Sequence, residues 1–349
     1  MANASSDSLL QRLGLSAPLL LAPMAGVADA GLAIAVARAS GLGAIPAALL
    51  AQDRLRHEVD RFRGAVAAPL NLNFFAHVDT PPSREAVERW RAVLAPLHAE
   101  SGLALPDTVQ AGRRPFDDDA AALVEQLRPE VVSFHFGLPE ARLLDRVRAT
   151  GAAILSTATT VAEARWLAGR GVDAVIAQGW EAGGHRGMFL QADADAQVGL
   201  VSLLPQVVDA VDVPVIAAGG IADARGLRAA RALGTAAVQV GTAFLRSPEA
   251  LTPSFHRRAL AHACDSDTRL TNVFTGRPAR GLPNALMRRI GPLSPDALPF
   301  PYAGSLLAAL RGRDGERERG DYSAMWAGQS APMAEEASAF AIARRIVEG

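Results

Sequence analysis

The sequence predicts a (β/α)8 TIM barrel carrying a helical cap after its eighth strand, and three observations predict it. Eight short apolar runs bounded by Gly or Pro recur up to residue 247, alanine- and arginine-rich stretches with helical periodicity separate them, and the last two runs end in glycine turns. Alternating strands and helices build a parallel sheet, and about eight such units over roughly 250 residues match a closed barrel better than an open doubly wound sheet.

The runs are Leu19–Ala25, Gly43–Ala48, Pro69–Phe75, Val131–Gly137, Ala153–Ala158, Asp173–Gly179, Pro214–Gly219 and Ala236–Ala243. Between them, Asp117-Asp118-Asp119 starts a helix over Ala120–Leu127, and Thr160 starts one over Val161–Arg170 that closes on Gly171. Beyond Ser247-Pro248 the strand pattern stops. Pro253–Leu310 reads as helices interrupted by Thr275-Gly276-Arg277-Pro278 and by the Pro-rich stretch Pro292–Pro301, and Arg311–Asp321 reads as a solvated charged loop. The expected organisation is a barrel over 1–247, a cap over 248–320 and a C-terminal return to the barrel over 321–349.

Composition removes several function classes. A net charge of −1, from 35 basic against 36 acidic residues, gives no field to attract nucleic acid or an anionic membrane. The single Cys264 allows no intrachain disulfide and no thiolate cluster for zinc or iron–sulfur, so no metal is expected and a reducing cytoplasm is the natural compartment. Ala17–Met24 is too short and too interrupted by Pro18 and Pro23 for a signal peptide or a membrane span. The chain has no lysine, which excludes Schiff-base catalysis and the P-loop lysine together.

Barrel active sites lie at the C-terminal ends of the strands, and that rule ranks the motifs. Gly219-Gly220 ends the seventh run, and Gln239-Val240-Gly241-Thr242 ends the eighth. Glycines let backbone N–H groups approach a phosphate, and a following helix N-terminus favours its charge. Two tight turns would explain either motif alone, but the pair fits a phosphate site better. The sixth run enters Gln178-Gly179-Trp180-Glu181-Ala182-Gly183-Gly184-His185-Arg186-Gly187, a glycine-rich loop presenting His185, a proton-transfer candidate near neutral pH or else a surface histidine. Alternation along the fourth run sets Val131, Ser133, His135 and Gly137 on one face and Val132, Phe134 and Phe136 on the other, so His135 points to the active-site floor or is a hydrogen-bonded core residue. His77 is a weaker candidate, and His57, His98, His256 and His262 fall on helical stretches and read as solvated.

The loop Glu181–Gly187, with Ala22-Pro23-Met24-Ala25-Gly26, Asn71-Leu72-Asn73-Phe74-Phe75, the His135 strand, Gln239–Thr242 and Met325-Trp326-Ala327-Gly328-Gln329, resembles the nitronate monooxygenase family over nearly the whole chain. The resemblance implies FMN across the barrel mouth, with Ala22, Pro23 and Met24 against the isoalloxazine and Asn73, Gln178, Gly183 and Gly184 near the ring or ribityl chain. It implies Gly219, Gly220, Gln239, Val240, Gly241 and Thr242 at the phosphate, Trp326 and Gln329 returning to the flavin, and His185 and His135 as active-site histidines. It also implies Tyr302 against the substrate, although cap packing explains that residue equally.

The implied activity is O2-dependent denitrification of alkyl nitronates such as propionate 3-nitronate, with His185 cationic against the nitronate oxygens or, if neutral, a base for a nitroalkane. A carboxylated nitronate would need an arginine, a histidine or Tyr302 as partner, since lysine is absent; Arg186 is adjacent but is expected to face solvent. An NAD(P)H-dependent quinone or enoyl-thioester reductase and a flavin-free phosphate-binding barrel lyase or isomerase are the alternatives.

Overall fold

Each of the eight apolar runs forms a strand in the computed structural model, which describes residues 9–349. The strands along the first part of the chain are β1 (Leu19–Leu21), β2 (Gly43–Pro46), β3 (Leu70–Phe75), β4 (Val131–His135), β5 (Ala153–Ala158), β6 (Ala174–Gln178), β7 (Gly184–His185), β8 (Val215–Ala218) and β9 (Ala237–Val240). All but the short β7 belong to the barrel. They pair in parallel in the order β1-β9-β8-β6-β5-β4-β3-β2, and a bridge from Leu20 to Leu42 closes the ring. Most of these strands stop short of the expected ends because the chain leaves the ladder where the site-bearing loops begin.

Alternation sorts the core into two layers. Val131 joins Leu20, Leu155, Ile176 and Ile216 inside the barrel, whereas Val132 and Phe134 pack against the surrounding helices. Burying a side chain such as Phe134, which is fully enclosed, contributes about 1.5–3 kcal/mol. The expected helix starts hold: Asp117 accepts from Ala120 N at 2.9 Å, and Thr160 accepts from Glu163 N at 3.2 Å.

Phe136 departs from the alternation. β4 ends at His135, and Phe136 adopts a left-handed φ of 73°, which turns its ring away from the helix layer to a cluster with Phe75 and Phe300 at the barrel mouth.

The region after β9 is not purely helical. β10 (Arg269–Thr271) and β11 (Ala279–Gly281) form an antiparallel hairpin, and β11 also pairs with β7. Three-residue strands carrying Arg and Gly give no periodic signal. The charged run expected to be a loop enters the helix Ala308–Glu316, whose Asp314 is buried and accepts from Tyr322 N and Ser323 Oγ. The long helix Arg84–Ser101, which follows β3, packs Trp90, Leu94 and Leu97 against Phe274, Leu286 and Leu306 rather than on the barrel. Trp90 fixes this contact by donating from Nε1 to the Ala303 carbonyl at 3.1 Å.

No helix among the described residues is long and apolar enough to cross a membrane.

Candidate active site

A cleft of about 330 Å³ opens at the C-terminal ends of the barrel strands, and it gathers most of the residues singled out in the sequence. Ala22, Pro23, Met24, Asn73, His135, Gln178, Gly183, Gly184, His185, Gly219, Gly220, Gln239, Gly241, Thr242 and Trp326 line it. Three do not. Val240 points into the hydrophobic layer between barrel and helices. Gln329 donates its backbone N–H to the Glu181 carbonyl, while its neighbours Gly328 and Ser330 reach the cleft. Tyr302 is buried in the cluster of Trp90 and Leu306, where its hydroxyl donates to Asp79 Oδ1 at 2.8 Å.

One end of the cleft is a backbone cradle. Gly219 has a φ of 120°, and a Cβ there would lie 3.0 Å from Ala182 N. The N–H groups of Gly219, Gly220 and Gly241 donate to no other described residue. The N-terminus of the helix Ala224–Ala232, which follows this cradle, is capped by Asp223, which accepts from Arg225 N at 2.9 Å, and its first residues do not line the cleft. Gln239 leaves its buried Oε1 without a partner among the described residues.

The other end is built around His185. Gln178 donates from Nε2 to the His185 carbonyl at 3.0 Å and accepts from Gly187 N at 2.8 Å, which clamps the loop to β6. His185 Nε2 lies 2.9 Å from Thr275 Oγ1 of the hairpin turn. Its ring stands 5.5 Å from those of Phe300 and Trp326 and 5.9 Å from that of Phe136. Desolvation in this recess, then the charge of Arg113, pushes the His185 pKa well below 6.5. The shift favours the neutral imidazole, the second of the two forms that the sequence left open. Desolvation also lowers His135 to about 4.

The C-terminal segment closes the cleft: Gly328 N donates to Thr242 Oγ1 at 3.0 Å, and Ser330 Oγ donates to the Gly220 carbonyl at 2.6 Å.

Several features of this region left no sign in the sequence. Arg186 is wholly buried rather than solvent-facing, and donates to the Gly179 and Gln178 carbonyls at 2.6 and 3.0 Å. His256 is buried on the cleft wall and His98 is buried between the Ala104 and Leu306 carbonyls, although both read as solvated. Arg113 and Thr275 gave no motif; their signal was position on loops at the barrel mouth.

A closed parallel barrel with a glycine-lined cleft at the C-terminal ends of its strands is the arrangement of a (β/α)8-barrel enzyme. The chain belongs to the nitronate monooxygenase family, a family of flavin-dependent oxidoreductases: the family model described as "Nitronate monooxygenase" matches residues 7–349. It is 39% identical to a nitronate monooxygenase of Pseudomonas aeruginosa over 98% of this chain and 99% of that protein. It is 36% identical to one of Paraburkholderia phytofirmans, covering 94% and 90%. The structure is similar to that of a nitroalkane oxidase from Streptomyces ansochromogenes, with a TM-score of 0.87, 40% identity and coverage of 98% and 97%.

Proposed function

We propose that the chain is an FMN- and O2-dependent monooxygenase that converts alkyl nitronates, such as propionate 3-nitronate, to a carbonyl compound and nitrite. The observation that carries this reading is one cleft holding a glycine cradle with free backbone N–H groups at one end and, beside Arg113, a histidine whose pKa burial pushes down at the other. The free N–H groups of Gly219, Gly220 and Gly241 fit the one phosphate of a mononucleotide, and no dinucleotide fingerprint is present in the sequence. The unpartnered Gln239 Oε1 offers the same ligand an acceptor.

When bound, the flavin supplies the electron transfer between nitronate and oxygen. The protein binds, orients and dehydrates. A nitronate is already deprotonated, so neutral His185 serves as a hydrogen-bonding partner for its oxygens rather than as a base. Thr275 fixes the ring, and Phe136, Phe300 and Trp326 exclude water around it. In this reading the segments 248–320 and 84–101 together form the cap, and 321–349 returns to the barrel.

The test is nitrite release and oxygen uptake with propionate 3-nitronate and no added nicotinamide. Sustained turnover supports the reading, and no turnover by flavin-loaded protein refutes it.

A further inference from the structure

We infer that Arg113 is a specificity-determining residue whose guanidinium receives the carboxylate of a nitronate held against His185. This role deepens the proposed function and rests on it.

Arg113 lines the same cleft as His185, on the loop that returns to the end of β3 through a 2.8 Å bond from Phe116 N to the Phe75 carbonyl. Its guanidinium lies 5.7 Å from the Phe300 ring, which itself lies 5.5 Å from the His185 ring. The two groups therefore stand beside one aromatic ring, close enough for the Arg113 charge to act on His185, so a short substrate that meets His185 at one end has Arg113 within the same cleft for the other.

The guanidinium has no counter-charge among the described residues. Arg113 Nε is buried without a partner, and the charge acting on the group is the like charge of Arg311. The neighbouring cations are already engaged: Arg277 donates to the Met188 carbonyl at 3.0 Å and covers the Phe136 ring, and Arg311 donates to the Gly304 carbonyl at 2.7 Å. Tyr302 is engaged by Asp79. A half-buried guanidinium with no counter-charge and a buried, unpartnered Nε is stabilised when an anion completes it, and planar bidentate pairing makes carboxylate a suitable one.

That anion is not the cofactor phosphate. β8, which carries the Gly219-Gly220 cradle at its end, stands four strands from β3 in an eight-stranded ring, on the opposite side of the barrel.

The test compares kcat/KM for propionate 3-nitronate and for the uncharged propyl-1-nitronate in wild type, Arg113→Met and Arg113→Lys, with flavin content and melting temperature measured on each. Wild type should prefer the carboxylated substrate, and Arg113→Met should lower that preference at least about 30-fold, the lower range for removing one partner of a buried charge pair. Arg113→Lys should restore part of it. On wild type alone, butyrate should inhibit competitively at lower concentration than butyramide, which keeps the inference testable if a variant does not fold. Equal use of the two nitronates by wild type, an unchanged preference in a folded Arg113→Met, or loss of flavin from that variant would each overturn the assignment while leaving the nitronate reading intact. Turnover of neither nitronate by flavin-loaded wild type would overturn both.

Discussion

His135 donates from Nε2 to the backbone carbonyl of His185 at 3.2 Å, so the histidine that ends β4 holds the main chain carrying the other. A carbonyl only accepts, which fixes the tautomer: His135 Nδ1 is bare and accepts from the Thr157 hydroxyl at 3.1 Å. The two histidines thus have different work in the proposed reaction, positioning for His135 and substrate contact for His185.

His185→Asn should keep the flavin yet lose on the order of 10²-fold in turnover, the size usual for a positioned polar group at the reacting centre. Flavin absorbance and kcat on the same preparation check it. Turnover at the wild-type rate would make His185 a structural loop residue.

His135→Leu should destabilise the fold by about 1–3 kcal/mol, because it removes a donor from a buried carbonyl and strands the Thr157 hydroxyl. Its turnover should fall less than that of His185→Asn. His135→Gln, which retains an N–H donor, should recover part of both losses. Denaturant melts and kcat measure the pair.

The barrel was legible because its signal is long-range and repeated: eight apolar runs whose alternation survives from Val131 to His135. The cradle and the His185 loop were legible because paired glycine turns and a histidine fall together at strand ends, where barrels keep their sites. Phe136 was not, since a left-handed φ at a non-glycine residue leaves no mark in the pattern. Nor was the burial of Arg186 and His98, whose partners are backbone carbonyls supplied by the tertiary fold.

Acid should destabilise the protein in a defined window. Desolvation lowers His77, His135 and His256 from 6.5 to about 4. The unfolded chain therefore takes up these protons first, so stability is level above about pH 6.5 and falls as pH drops from there toward 4. Melting temperature across pH 4–8 checks it, and a profile flat through that window would contradict the placement of these rings as neutral groups.

Gly219→Val should lower flavin occupancy while leaving the barrel folded, because the added side chain meets Ala182 at the cradle and the backbone is strained at a φ of 120°. Flavin content per folded protein and the far-ultraviolet dichroism spectrum measure it. Full occupancy would remove the cradle from the cofactor site.

Whether the nitronate itself supplies the electrons is decided by mixing flavin-loaded protein under argon with propionate 3-nitronate or, separately, with NADH, then admitting air and measuring nitrite. The expected result is rapid loss of the flavin's visible absorbance with the nitronate, little change with NADH, and nitrite once oxygen is present. Rapid reduction by NADH with the nitronate inert would contradict the monooxygenase reading and assign the chain to a nicotinamide-driven reductase.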